Sequence, residues 1–191
     1  MVKLPEILET KTIAKTKLFH VESMHLRFSN GVERDYERLV AGKHGAVMVI
    51  PMSDPETVLL IREYAAGVER YELAFPKGLI ESGESPLEAA NREMKEEVGF
   101  GGKKLVLLKQ FSLAPGYLSH QMSLVVAHDL YEERLEGDEP EELEVLSWPV
   151  ARLNELVDLD DFTESRSIAA IYLLQQYLNN LTQSSKDKDL V

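Results

Sequence analysis

The 191-residue chain contains no cysteine. Disulfides, thiolate zinc centres and cysteine nucleophiles are therefore excluded. It also has no run of the roughly 18 consecutive apolar residues that a membrane-spanning helix needs, so none is expected. The opening stretch MVKLPEILETKTIAKTKLFH has no long apolar core. No signal peptide is expected from it, and the cytoplasm is the default location. Positive charge is scarce: 21 Lys and Arg stand against 33 Asp and Glu, for a net charge of −12. Without a basic block the chain lacks the footprint of a nucleic-acid binder, and an acidic chain avoids anionic membranes. An anionic substrate is still accessible to it if divalent cations stand between the two. The D-x-D-x-D-G spacing of an EF-hand loop is absent as well.

What remains is an ordinary globular composition, 44% hydrophobic and 28% charged, in a chain long enough for one core with a small appendage. Residues 1–16 are mixed and polar, fitting an irregular arm or an edge strand. LFHVESMHLRF and VERDYERLV flank Ser29-Asn30-Gly31, a strong hairpin signal. AVMVIPM (46–52) and TVLLIREY (57–64) predict two strands joined by SDPE, and YELAFPKGLI (71–80) predicts a third, broken at Pro76. LVLLKQFSLAP (105–115), QMSLVVAHDLY (121–131) and EVLSWPV (144–150) predict three more. ARLNELV and TESRSIAAIYLLQQYLNN predict helices, and SSKDKDLV a frayed tail. Strands outnumber helices in mixed order, which points to an α+β class or a mixed sheet covered by helices.

One further helix carries the chemistry. Ser85-Pro86-Leu87-Glu88 combines a cap, a preorganised first residue and a capping-box glutamate. Gly99 is a natural stop, so the helix is expected over Pro86–Val98. Leu87, Ala90, Met94 and Val98 form its apolar stripe. Glu93, Glu96 and Glu97 share another face, where like charges cost roughly a few tenths of a kcal/mol per pair. A glutamate run is usually just a solvated face. Three features argue otherwise here: the carboxylates converge, a glycine-bounded loop precedes the cap, and Arg92 sits inside the cluster. Hard cations are held by sites of this shape.

The stretch GLIESGESPLEAANREMKEEVGF (78–100) resembles the Nudix box, Gly-x5-Glu-x7-Arg-Glu-U-x-Glu-Glu-x-Gly-U, with U a bulky apolar residue. The pattern is met by Gly78, Glu84, Arg92, Glu93, Met94, Glu96, Glu97, Gly99 and Phe100. RLVAGKHGAVMVI, IREYAAGVERYELAFPKGLIE and EGDEPEELEV resemble the segments flanking the box in the ADP-ribose pyrophosphatase branch, and the likeness extends over residues 18–180. The resemblance implies an α+β fold, a mixed-sheet α/β/α Nudix sandwich, with an N-terminal β-hairpin extension. Residues 1–44 would form the N-terminal strand and hairpin region used for dimerisation, 45–181 the Nudix hydrolase domain, and 182–191 a flexible tail.

The resemblance also implies an activity: Mg²⁺-dependent hydrolysis, or hydrolysis with Mn²⁺, of the pyrophosphate bond in ADP-containing small molecules, by a homodimer, with release of AMP. By position it makes Glu93 and Glu97 the principal metal ligands and Glu96 a shared ligand and catalytic residue. Arg92 would orient the glutamates, a carbonyl near Lys77 or Gly78 would complete the shell, and Glu84 would support the loop or act directly. Glu139 would activate water and Glu141 would be a further metal ligand, with Asp138 and Glu142 as neighbouring alternatives. Arg38 and Arg62 would contact the diphosphate; the plainer account pairs them with Glu37 and Glu63. Phe19 and Phe28 either stack on adenine or pack in the hairpin. APGYLSHQM (114–122) resembles the branch's Ser-Pro-Gly loop with alanine for serine, and with Ser119-His120 where acids often follow. That departure implies a broader set of ADP compounds: ADP-ribose, NADH and diadenosine polyphosphates. The alternative is a non-catalytic Nudix-like nucleotide-binding or sensor protein. Such proteins typically degrade the box or add a basic DNA-binding module, and neither is present.

Overall fold

The Asn30-Gly31 signal is met by a hairpin between β2 (His20–Arg27) and β3 (Glu33–Leu39). The Asn30 side chain accepts a hydrogen bond from Val32 N at 3.1 Å inside the turn. Residues expected as an arm or edge strand form β1 (Glu6–Lys15), which pairs antiparallel with β2. The N-terminal extension is thus a three-stranded sheet in the order β1-β2-β3. Phe28 packs against Tyr36 with ring centroids 6.1 Å apart, the packing alternative for that residue. The computed structural model describes residues 3–42 and 44–188. It divides into two units: residues 1–45 with 111–122, and residues 46–110 with 123–191.

The second unit is organised by a seven-stranded sheet. Its strands are β4 (Ala46–Asp54), β5 (Thr57–Ala65), β6 (Arg70–Ala74), β7 (Lys77–Leu79), β8 (Phe100–Ser112), β9 (Gln121–Glu132) and β10 (Glu144–Pro149). The path runs β10-β5-β4-β9-β8, with β6 on β5 and β7 on β4. The expected break at Pro76 is real and changes partners: the chain leaves β5 after Ala74 and joins β4 at Lys77. A proline cannot donate to a ladder, and its carbonyl instead accepts from Val49 N at 2.9 Å.

The apolar runs of β4, β5 and β9 are explained by burial on both faces. Val47, Val49, Leu59, Ile61, Val125 and Ala127 pack with Ala89, Ala90 and Met94 of α1 (Pro86–Glu97) and with Val98 just past its end. The alternate residues Met48, Ile50, Val58, Leu60, Leu124 and Val126 point the other way and are equally buried. The segment expected as a helix over ARLNELV is a 3-10 helix, Val150–Asp158. It has no side-chain cap, and its 9 residues exceed the roughly three or four that such helices usually run. The last helix, α2 (Ser165–Lys188), continues past the boundary expected near residue 181. The remaining tail residues 189–191 lie outside the described residues. None of the described helices is long and apolar enough to cross a membrane.

The capping box of α1 is complete: Glu88 N donates to Ser85 Oγ, and Ser85 N donates to Glu88 Oε2. At the other end Val98 is the C-cap, and Gly99 takes the left-handed turn at φ +83° while its N–H bonds to Met94 O. Because this cap fixes where the acidic face begins, Ser85→Ala should lower unfolding stability by about 1 kcal/mol, read from the urea midpoint, and Ser85→Asp should recover most of it.

Candidate active site

Helix α1 turns three glutamates toward one place. Met94 and the two alanines bury its apolar stripe, so the residues between them on the next face meet the loop after β7. There a cavity of about 760 Å³ is lined by Glu63, Lys77, Gly78, Arg92, Glu93, Glu96, Glu97 and Glu139, among others. The second unit contains all of these residues.

Arg92 is the organiser. Its Nε and Nη2 donate to the two oxygens of Glu84 at 2.8 and 3.0 Å. Its Nη1 donates to Glu93 at 2.8 Å and Glu96 at 2.9 Å, and Nη2 also donates to Leu79 O at 2.8 Å. One guanidinium fork therefore ties three carboxylates and the β7 strand together. Glu84 also accepts from Glu81 N at 2.9 Å, which braces the loop before the helix. Pairing with Arg92 holds the Glu84 carboxyl below the ordinary range, and Glu84 in turn holds the Arg92 proton more firmly.

Glu93 and Glu97 are different. Both are buried, at 8% and 3% exposure. Burial pushes Glu93 up to about 7, against the pull of Arg92, and the charges of Glu96 and Glu139 push the same way. Burial pushes Glu97 up to about 9, although Lys77 opposes it with its charge and with a backbone N–H to Glu97 Oε2 at 2.9 Å. Two carboxylates are thus held where the ionised form is costly. Gly78 makes this possible, since a Cβ there would stand inside the Glu93 carboxylate.

The donor set is all oxygen and suits a hard divalent cation. Among the described residues no three acidic or imidazole side chains are already grouped as a metal site; Arg92 holds Glu93 and Glu96. The geometry thus brings the acids into one cavity without arranging them around one point.

The remaining expected site residues divide. Glu139 lines the cavity with Asp138, and its charge is felt at Glu93. Glu141 is directed elsewhere: it accepts from the Tyr71 hydroxyl at 2.5 Å. Arg62 is held between Glu144 at 2.9 Å and Asp161, and is not part of the cavity lining. Arg38 belongs to the first unit, where its Nε and Nη2 fork onto Glu22 at 3.1 and 2.9 Å. Sequence reasoning named Lys77 only for its carbonyl and Glu63 only as a surface partner of Arg62; their side chains face the cavity and pair with each other at 2.7 Å. The parity of β5 was the available signal: Arg62 and Glu63 are adjacent in a strand and point to opposite faces.

Residues 5–38 match the model of the NudE-type Nudix hydrolase N-terminal domain, and residues 42–170 match that of the NUDIX domain. The chain is 53% identical to the ADP compounds hydrolase NudE of Escherichia coli, over 91% of this chain and 93% of that one. It is 30% identical to an ADP-ribose pyrophosphatase of Bacillus subtilis, over 88% and 94% of the two chains. A crystal structure of an ADP compounds hydrolase superposes with a TM-score of 0.90 at 50% identity, covering 95% of this chain and 97% of that one. A sheet with these helices, a complete box on the capped helix and a matching N-terminal sheet lead to one conclusion: the chain belongs to the Nudix hydrolase family.

Proposed function

We propose that the chain hydrolyses the pyrophosphate bond of ADP-linked compounds and releases AMP, with ADP-ribose, NADH and diadenosine polyphosphates as substrates. The relatives named for ADP compounds and ADP-ribose support this substrate class. The observation that carries the reading is the buried pair Glu93 and Glu97, which burial pushes up to about 7 and about 9. A divalent cation is what allows both to be ionised together in that cavity.

Mg²⁺ is the proposed ion, with Mn²⁺ as the alternative. Glu93 and Glu97 would hold it, with Glu96 shared and a carbonyl of the Lys77-Gly78 turn completing the set. When bound, such an ion offsets phosphate charge and makes a bound water more acidic. Arg92 keeps Glu93 and Glu96 aimed into the cavity, and Gly78 leaves the substrate's diphosphate a close approach. Glu139, on the acidic loop across from α1, accepts the proton of the attacking water. Glu141 is given no part, being held by Tyr71, and Arg62 is given none, being held by Glu144 and Asp161.

We also infer a homodimer built through the N-terminal sheet. A three-stranded sheet needs a buried apolar face to be stable. Nearly all of β1 is exposed, including Ile7 at 58% and Ile13 at 50%. A second copy would cover that surface.

Three outcomes are expected. Glu97→Gln should fold normally and lose about 100-fold or more in kcat, assayed as AMP release from ADP-ribose with Mg²⁺; near-normal turnover would remove Glu97 from the site. Glu139→Gln should lower kcat by about 10²–10⁴-fold with little change in KM; an unchanged kcat would place the base elsewhere. Light scattering should give twice the chain mass at micromolar concentration, and a stable monomer would overturn the dimer.

A further inference from the structure

Between Arg92 and Glu97 the box pattern leaves one position open, and this chain has Lys95 there. Lys95 does not line the acidic cavity. Its side chain turns instead to the C-terminal end of β9. Its Nζ meets the Glu133 carboxylate at 2.8 Å and lies 5.7 Å from the centre of the Tyr131 ring. The Lys95 side chain is only 15% exposed. Gly101 makes the room, since a Cβ there would stand inside the Tyr131 ring and 2.8 Å from Lys95 Cε. An ammonium in the last turn of α1 also suits the negative end of the helix dipole. The backbone adds two ties at the same place. Gly99 N–H goes back to Met94 O, so Lys95 O is left to accept from Leu135 N, at 3.2 Å. Glu133 N donates to Gly99 O at 3.1 Å.

Glu133 and Leu135 open the segment that leads to Glu139. Gly137 lets this loop close on the helix: a Cβ there would stand inside the Glu139 carboxylate and touch Glu96 Cβ at 3.5 Å. A half-exposed ion pair by itself holds little. Here it acts together with the two backbone bonds, all within the stretch 133–135. Small displacements matter at such a place, since moving a catalytic group by about 1 Å can cost about 100-fold in rate. We propose that Lys95 is a positioning residue: by clamping Glu133 against the end of α1, it holds the acidic loop where Glu139 faces Glu93 and Glu96 across the cavity. The proposal rests on the reading of Glu139 as the base.

The test is a mutant cycle on the full-length protein, read as AMP release from ADP-ribose with Mg²⁺, beside hydrogen exchange of the Leu135 amide in chelator. Lys95→Met keeps the aliphatic stem and removes the ammonium. It should lower kcat about tenfold, change KM by less than about twofold and speed Leu135 exchange about tenfold or more. Glu133→Gln should do the same, and Lys95→Arg, which keeps the cation, should stay near wild type in both readouts. With Glu139→Gln already in place, Lys95→Met should cost nothing further in kcat, because its effect passes through that carboxylate. Wild-type kcat or wild-type Leu135 exchange in Lys95→Met would overturn the positioning role, as would an equal loss of kcat with and without the Glu139 carboxylate. The two readings separate in the same cycle. A large loss in Glu139→Gln beside wild-type kcat in Lys95→Met overturns only the role of Lys95, whereas an unchanged kcat in Glu139→Gln overturns both.

Discussion

Everything at the site depends on the Arg92 guanidinium. Three carboxylates and one carbonyl share its five N–H groups. Without that fork Glu93 and Glu96, which lie three residues apart on α1, would repel each other and turn toward water. With it they are fixed toward the cavity, and the β7 strand is fixed to the helix through Leu79 O. The same residue thus sets the position of the loop, the aim of the acids and the distance between helix and strand. A lysine could not replace it, because its single ammonium has no fork to distribute.

Burial then supplies the chemistry. The helix packs its alanines and Met94 flat on the sheet, which draws Glu93 and Glu97 into apolar surroundings along with them. Their ionised forms lose hydration that Arg92 and Lys77 only partly replace. A fold rarely keeps such groups for stability, since an apolar pair of similar size would serve better. Their presence at the wall of an open cavity fits the proposed cation site.

Much of this was legible in the sequence, and the exceptions have physical causes. The capping residues and the 3.6-residue stripe define α1 to within a residue, because both signals are local. The box lies on one continuous segment, so its spacing alone brings Gly78, Arg92 and the glutamates together. Pairings between distant segments were less readable. Arg62 was expected at phosphate, yet its partners Glu144 and Asp161 lie 82 and 99 residues away in the chain. Glu63, its neighbour, faces the cavity instead, because a strand sends successive side chains to opposite faces. Glu141 likewise found Tyr71, from a strand that the acidic loop's own sequence does not mention. The three-stranded character of the N-terminus was half visible: the hairpin announced itself through Asn-Gly, whereas β1 is polar and exposed and carries no burial pattern to read.

The central claim is that Glu93 and Glu97 form a cation site, and the pH dependence of stability tests it most directly. Burial raises both folded-state values above the ordinary carboxylate value of 4.5. Their contribution is therefore fully present below about pH 4.5 and is lost as pH rises, through about 7 for Glu93 and about 9 for Glu97. In chelator, thermal unfolding of wild type should fall relative to Glu97→Gln as pH goes from 5 to 9, by on the order of a few kcal/mol. Saturating Mg²⁺ should reverse that trend in wild type, because the cation binds the ionised pair, and should do little for Glu97→Gln. A Mg²⁺ shift of equal size in the two proteins at pH 8, or none in wild type, would contradict the account.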